Sequence, residues 1–154
     1  MTLALMPHRL TWWIWLATLA AMVAGLAGLR HAFPAAAAIT LAHTVLAWRH
    51  ARDVRAIGVQ IRLAYALLLL ACLLPGLRWF NWISAAGAAA MLVFGYCAMG
   101  RSLSLLPWNR SEPLSLGLLR RTFLSAPVIR RGLVARACGD AEGVCELEAR
   151  AAML

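Results

Sequence analysis

Few side chains in these 154 residues are equipped for chemistry: four histidines, four cysteines, six carboxylates and 15 basic residues, every one an arginine. His43 is the most suggestive. It lies near the middle of an apolar stretch from Pro34 to Trp48, with Thr40 and Thr44 as neighbours. An ionisable group at membrane depth points to function by default, here as a residue lining a solute path. A neutral imidazole can equally serve as a hydrogen-bonding partner for a threonine or a carbonyl on a facing helix. His43 is therefore the candidate functional residue within the apolar segments.

Metal and haem chemistry find little support. His43 and His50 are seven residues apart, on one helix face but two turns distant, too far for a single metal ion. Bis-histidine haem needs one ligand from each side of the ring, and no second histidine lies at the depth of His43, although His8 and His50 can meet at the ends of adjacent antiparallel helices. Cys138 and Cys145 bracket residues 139–144 with no histidine near them. Structural zinc sites use four ligands and shorter spacings, so these cysteines read as free thiols. No metal site, bound cofactor or catalytic residue is expected.

The carboxylates argue the same way. None falls inside an apolar stretch, so a cation-coupled carrier of the compact four-helix type would lack its essential acid. There is no Ser-His-Asp set, glycine-rich phosphate loop or carboxylate pair. Glu112, Asp140, Glu142, Glu146 and Glu148 read as capping or solvated groups. A non-enzymatic role is the expectation.

The net charge of +9 comes from arginine alone, a bias that fits a GC-rich bacterial genome. Nucleic-acid binding needs a basic face on a soluble domain, whereas these arginines flank apolar runs. There they orient helices and meet anionic headgroups. In the C-terminal third, Arg120, Arg121, Arg130 and Arg131 are interleaved with Leu116, Leu119, Phe123, Leu124, Ile129 and Leu133. These segments read as amphipathic pieces on the inner leaflet, and the four arginines as candidate anionic-lipid contacts. Membrane lipids are the expected partner; nucleic acid is not.

The elements that must position these groups follow from hydropathy. Hydrophobic residues make up 63% of the chain and charged residues 14%, with mean hydropathy +0.75. A soluble domain is nearer half apolar and a quarter charged, and so short a chain has too little interior to hide the excess. Four apolar runs, at about 10–29, 34–48, 63–77 and 79–100, approach the ~20 residues that cross a bilayer. The first reads as a retained signal anchor. The second is the shortest and richest in alanine. Gln60 and Arg62 precede the third as snorkelling flanks, and Pro75-Gly76 ends it. With both termini in the cytoplasm, only Arg30 and Arg78 lie outside, as the positive-inside rule requires, and tryptophans cluster at the span ends. Ala17, Ala21 and Gly25, then Ala20, Ala24 and Gly28, form small-residue stripes that permit close helix approach.

The expectation is an all-α polytopic protein of the bacterial inner membrane. Residues 1–100 form a bundle of four transmembrane helices, and residues 101–154 an amphipathic, arginine-rich cytoplasmic tail whose first helix starts at Ser111 as cap. Gly100-Arg101-Ser102-Leu103, followed by Asn109-Arg110-Ser111-Glu112-Pro113-Leu114, resembles a pattern in uncharacterised small proteobacterial inner-membrane proteins. Some of those accompany aryl-polyene or fatty-acid-like lipid synthesis. Ser111 here separates an arginine and a glutamate that are adjacent in that pattern, and a downstream aromatic segment is absent. The leading functional expectation is a non-enzymatic accessory or scaffold protein that associates with a membrane-protein partner or with itself. The alternatives are a small carrier or channel component for a neutral or anionic solute, with His43 on the path, and a haem- or quinone-associated redox subunit.

Overall fold

A computed structural model describes residues 8–110 and 112–125. Arg130, Arg131, Cys138, Cys145 and the acidic C-terminal stretch lie outside them. Among the described residues the chain is all-helical: α1 (His8–Leu26), α2 (Ala32–Ala51), α3 (Ile57–Ala71), α4 (Phe80–Phe94), α5 (Ala98–Ser104) and α6 (Leu116–Leu124), with a 3-10 turn at Pro75–Leu77. α2 packs on α1 and α3, α4 on α1, and α5 on α3.

Helix boundaries depart from the hydropathy reading. Among the described residues, no single helix is long and apolar enough to cross a membrane. α3 and α4 have 15 residues each, which rise about 22 Å at 1.5 Å per residue, against ~30 Å of hydrocarbon. α2 has 20 residues but carries Arg49 and His50 at its end and much alanine before them. α3 begins at Ile57, six residues ahead of the expected start at 63. Gln60 and Arg62 therefore lie within the helix, and Arg62 is buried rather than at an interface.

The fourth run, expected as one stretch over 79–100, is two helices that meet at a 96° bend. Gly95 makes the break. Its φ is 69°, a left-handed conformation that glycine adopts without steric penalty, and its N–H still reaches the Met91 carbonyl at 3.0 Å. Gly95→Ala should therefore destabilise the protein by about 1 kcal/mol, since alanine pays the left-handed penalty. Thermal melts of the two proteins side by side check this; equal melting temperatures would mean that the turn relaxes freely.

α6 is capped by Ser115 rather than Ser111: the Ser115 hydroxyl accepts the Leu118 N–H at 3.1 Å. Glu112, expected in the first turn, instead forms an ion pair with Arg121 at 2.7 Å.

The interior mixes large apolar, small and polar residues. Ala36, Ala37, Ala85 and Ala88 pack around Trp15, Met22, Tyr65 and Leu69. On the Ala17/Ala21/Gly25 stripe, a Cβ at position 25 would lie 2.8 Å from the Phe33 ring, so any larger residue forces that ring to move. Thr18, Thr40 and Thr44 are buried and donate to the carbonyls four residues back, at 3.0, 2.8 and 2.8 Å. Their hydroxyls are thus satisfied within their own helices. The buried Asn81 of α4 donates to the carbonyls of Cys72 and Arg78, tying the end of α3 to the start of α4. The outer surface is apolar: Leu67, Leu74, Trp79, Trp82, Ile83, Val93 and Phe94 are all exposed.

Candidate functional site: a buried histidine–arginine pair

α2 presents His43 to the interior between Thr40 and Thr44, and α3 presents Arg62 and, three residues later, Tyr65. His43 is 1% exposed and Arg62 2%. Arg62 Nε donates to His43 Nε2 at 3.0 Å. A guanidinium has donors only, so Nε2 must hold a lone pair, and the imidazole is neutral with its proton on Nδ1. Arg62 Nη1 donates to the Gly58 carbonyl at 2.6 Å, which lays the guanidinium back along the first turn of α3.

An aromatic wall closes the pair from α1. Trp15 meets His43 edge to face with centroids 5.6 Å apart, and Tyr65 with centroids 5.1 Å apart, the orientation that aromatic quadrupoles favour. The Tyr65 hydroxyl donates to the Ser84 carbonyl on α4 at 3.0 Å and lies 3.2 Å from Met22 Sδ. Side chains from α1, α2 and α3 and a backbone carbonyl of α4 therefore converge on one cluster.

A second buried arginine stands apart from it. Arg101, on α5, is 0% exposed. Its Nη1 donates to the carbonyl of Thr122 and, at 2.9 and 2.8 Å, to the carbonyl and hydroxyl of Ser125. Its guanidinium sits 4.4 Å from the Tyr96 ring centroid, and the Tyr96 hydroxyl donates to the Phe123 carbonyl at 3.0 Å. The C-terminal turn of α6 is thereby held on α5. Nearby, Gln60 Oε1 accepts from Asn109 Nδ2 at 2.8 Å, fastening the start of α3 to the segment after α5.

The chemistry open to these groups is limited. His43 has its Nε2 lone pair engaged, so it is not poised as a general base, and an iron bond at that nitrogen would first have to displace Arg62. Among the described residues, no group of three His, Cys, Asp or Glu can hold a metal. Cys72 and Cys97 are not in a disulfide; Cys97 Sγ accepts the Gly100 N–H at the start of α5, at 3.3 Å. Among the sequence candidates, His43 lies in the cluster, while Arg120 and Arg121 are exposed on α6, with Arg121 on Glu112. Arg130 and Arg131 lie outside the described residues. Sequence reasoning missed Arg62 and Arg101. The signal for Arg62 was its helical register with Gly58, Tyr65, Ala66 and Leu69, all buried on one face. No protein-family model, curated protein or solved structure matches the chain.

Proposed function

We propose that this protein is a non-enzymatic accessory or scaffold component of the bacterial inner membrane, a four-helix bundle with α5 and α6 at the cytoplasmic surface. The observation that carries this reading is the number of large apolar side chains on the outside of a bundle whose interior also holds polar groups. His43, Arg62, Asn81, Ser84 and four threonines are buried, while many leucines and tryptophans and two phenylalanines are exposed. Exposed large apolar side chains in such number are unusual for a soluble monomer and natural in lipid, where packing between helices relies on small residues and polar contacts. Trp12 and Trp13 at the start of α1, Trp48 near the end of α2 and Trp79 and Trp82 at the start of α4 are exposed, as interfacial anchors are. Helices shorter than the hydrocarbon thickness are accommodated by local thinning and by snorkelling flanks. The bend at Gly95 turns α5 into the plane of the leaflet. On α6, Leu116 and Leu124 are 85% and 74% exposed, with Arg120 between them for anionic headgroups. The satisfied threonines and the engaged imidazole favour a structural role over catalysis.

Single cysteines in an otherwise cysteine-free protein test the arrangement. His31→Cys, in the α1–α2 turn, should react with an impermeant maleimide in whole cells. Val54→Cys, in the α2–α3 loop, should react only after lysis. Recovery of the protein in the alkaline-washed soluble fraction, or equal labelling at both sites in intact cells, defeats the membrane reading. Gentle detergent extraction should yield a homo-oligomer or a complex with another membrane protein; a bare monomer argues against the scaffold role.

A further inference from the structure

The two buried arginines are met differently. Arg101 faces the C-terminal carbonyls of α6 and an aromatic ring, both of which carry partial negative charge towards it. Arg62 makes two hydrogen bonds, each to a neutral group: the His43 imidazole and the Gly58 carbonyl. A guanidinium has five N–H donors, so three of them have no partner among the described residues. The carboxylates among those residues are engaged elsewhere, Asp53 on the Arg55 N–H at 2.8 Å and Glu112 on Arg121.

An ion held in a low-dielectric interior by neutral groups alone is costly and calls for a counter-charge. Among the described residues the Cys97 thiol acts in favour of the guanidinium charge, but the helix end beside it and the nearby arginines add positive potential. The first turn of α3, along which the guanidinium lies, has no side-chain cap at Ala56, and its macrodipole is positive at that end. Arg49, Arg52 and Arg55 stand at the same end of the bundle.

We infer that Arg62 is an anion-binding residue that takes an oxyanion, a phosphate or carboxylate group, on the unpaired N–H edge of its guanidinium. His43 is its positioning partner: by accepting the Nε–H it fixes the plane of the fork and leaves the Nη donors for the ligand. A planar fork suits two oxygens of one such group. The group is either the headgroup of an anionic lipid or a free anion, and the chemistry of recognition is the same.

The test uses the full-length protein in non-ionic detergent, titrated with inorganic phosphate against chloride at matched ionic strength. The same protein is also examined in nanodiscs of phosphatidylcholine with and without phosphatidylglycerol. Ligand at a hundredfold excess over its dissociation constant should raise the melting temperature by about 5 °C, and Arg62→Met should abolish the rise. A response to phosphatidylglycerol alone assigns the site to a lipid headgroup; a response to phosphate as well assigns it to a free anion. Should Arg62→Met fail to fold, Arg62→Lys keeps the charge without the fork and should bind about tenfold more weakly, the loss of one good bidentate contact. No response to either probe, or a response of wild-type size in the arginine variants, overturns the inference.

Discussion

Replacing His43 with alanine should lower the stability of the bundle by about 3 kcal/mol, since it strands the Nε–H of a buried guanidinium. Arg62 would keep one strong bond, to the Gly58 carbonyl, while its charge stays in place. The opposite deletion is milder. Arg62→Met removes the ion and fills its volume with a flexible apolar chain, leaving an unpaired neutral acceptor on His43 at a cost of about 1 kcal/mol. The double variant His43→Leu, Arg62→Met should lie close to wild type, because apolar replacement of a buried polar pair is often neutral. The order therefore matters more than any one value: His43→Ala worst, Arg62→Met intermediate, the double variant best. Unfolding in mixed micelles followed by circular dichroism gives all three, and a double-mutant cycle isolates the coupling. If Arg62→Met proves as damaging as His43→Ala, the pair is held for packing and not by its charge.

The second large effect is expected at Arg101. Thr122 lies in the last turn of α6 and Ser125 is its C-cap, where carbonyls have no partners within the helix. One buried guanidinium nitrogen answers both and adds the Ser125 hydroxyl. Arg101→Leu leaves these carbonyls open and removes the stacking on Tyr96. The docking of α6 should weaken by about 3 kcal/mol, which corresponds to a roughly hundredfold loss of hydrogen-exchange protection in residues 116–124. The helices α1 to α4 should keep theirs. Arg101→Lys should recover little, because an ammonium can neither stack flat on Tyr96 nor present a planar fork. Uniform loss of protection across all six helices would mean that Arg101 supports the whole fold rather than a local clamp.

Much of the helical character was legible because hydropathy reports where apolar residues run. It was a poor guide to where helices end. Residues 57–62 contain glycine, glutamine and arginine, which read as a flank, yet α2 and α5 bury them and the helix runs through. Gly95 sits between Phe94 and Tyr96, so an average over the window cannot see the left-handed turn that bends the chain by 96°. The helix starts at Leu116, and the hydroxyl that reaches an orphan N–H is that of Ser115, four positions after the serine the sequence offers as cap. At the candidate site His43 stood out as an ionisable residue in an apolar run. Arg62 did not, since arginines near span ends are ordinary and only the fold turns this one inward against His43.

Trp15 is buried, whereas the other six of the seven tryptophans are exposed, and it alone among them touches both His43 and Tyr65. The protein thus carries an optical reporter at its centre. A contact quencher such as brominated lipid or acrylamide should silence the outer six indoles and leave the emission of one residue. Its wavelength and lifetime then follow the imidazole beside it, so any event that moves Arg62 away from His43 can be watched without a label.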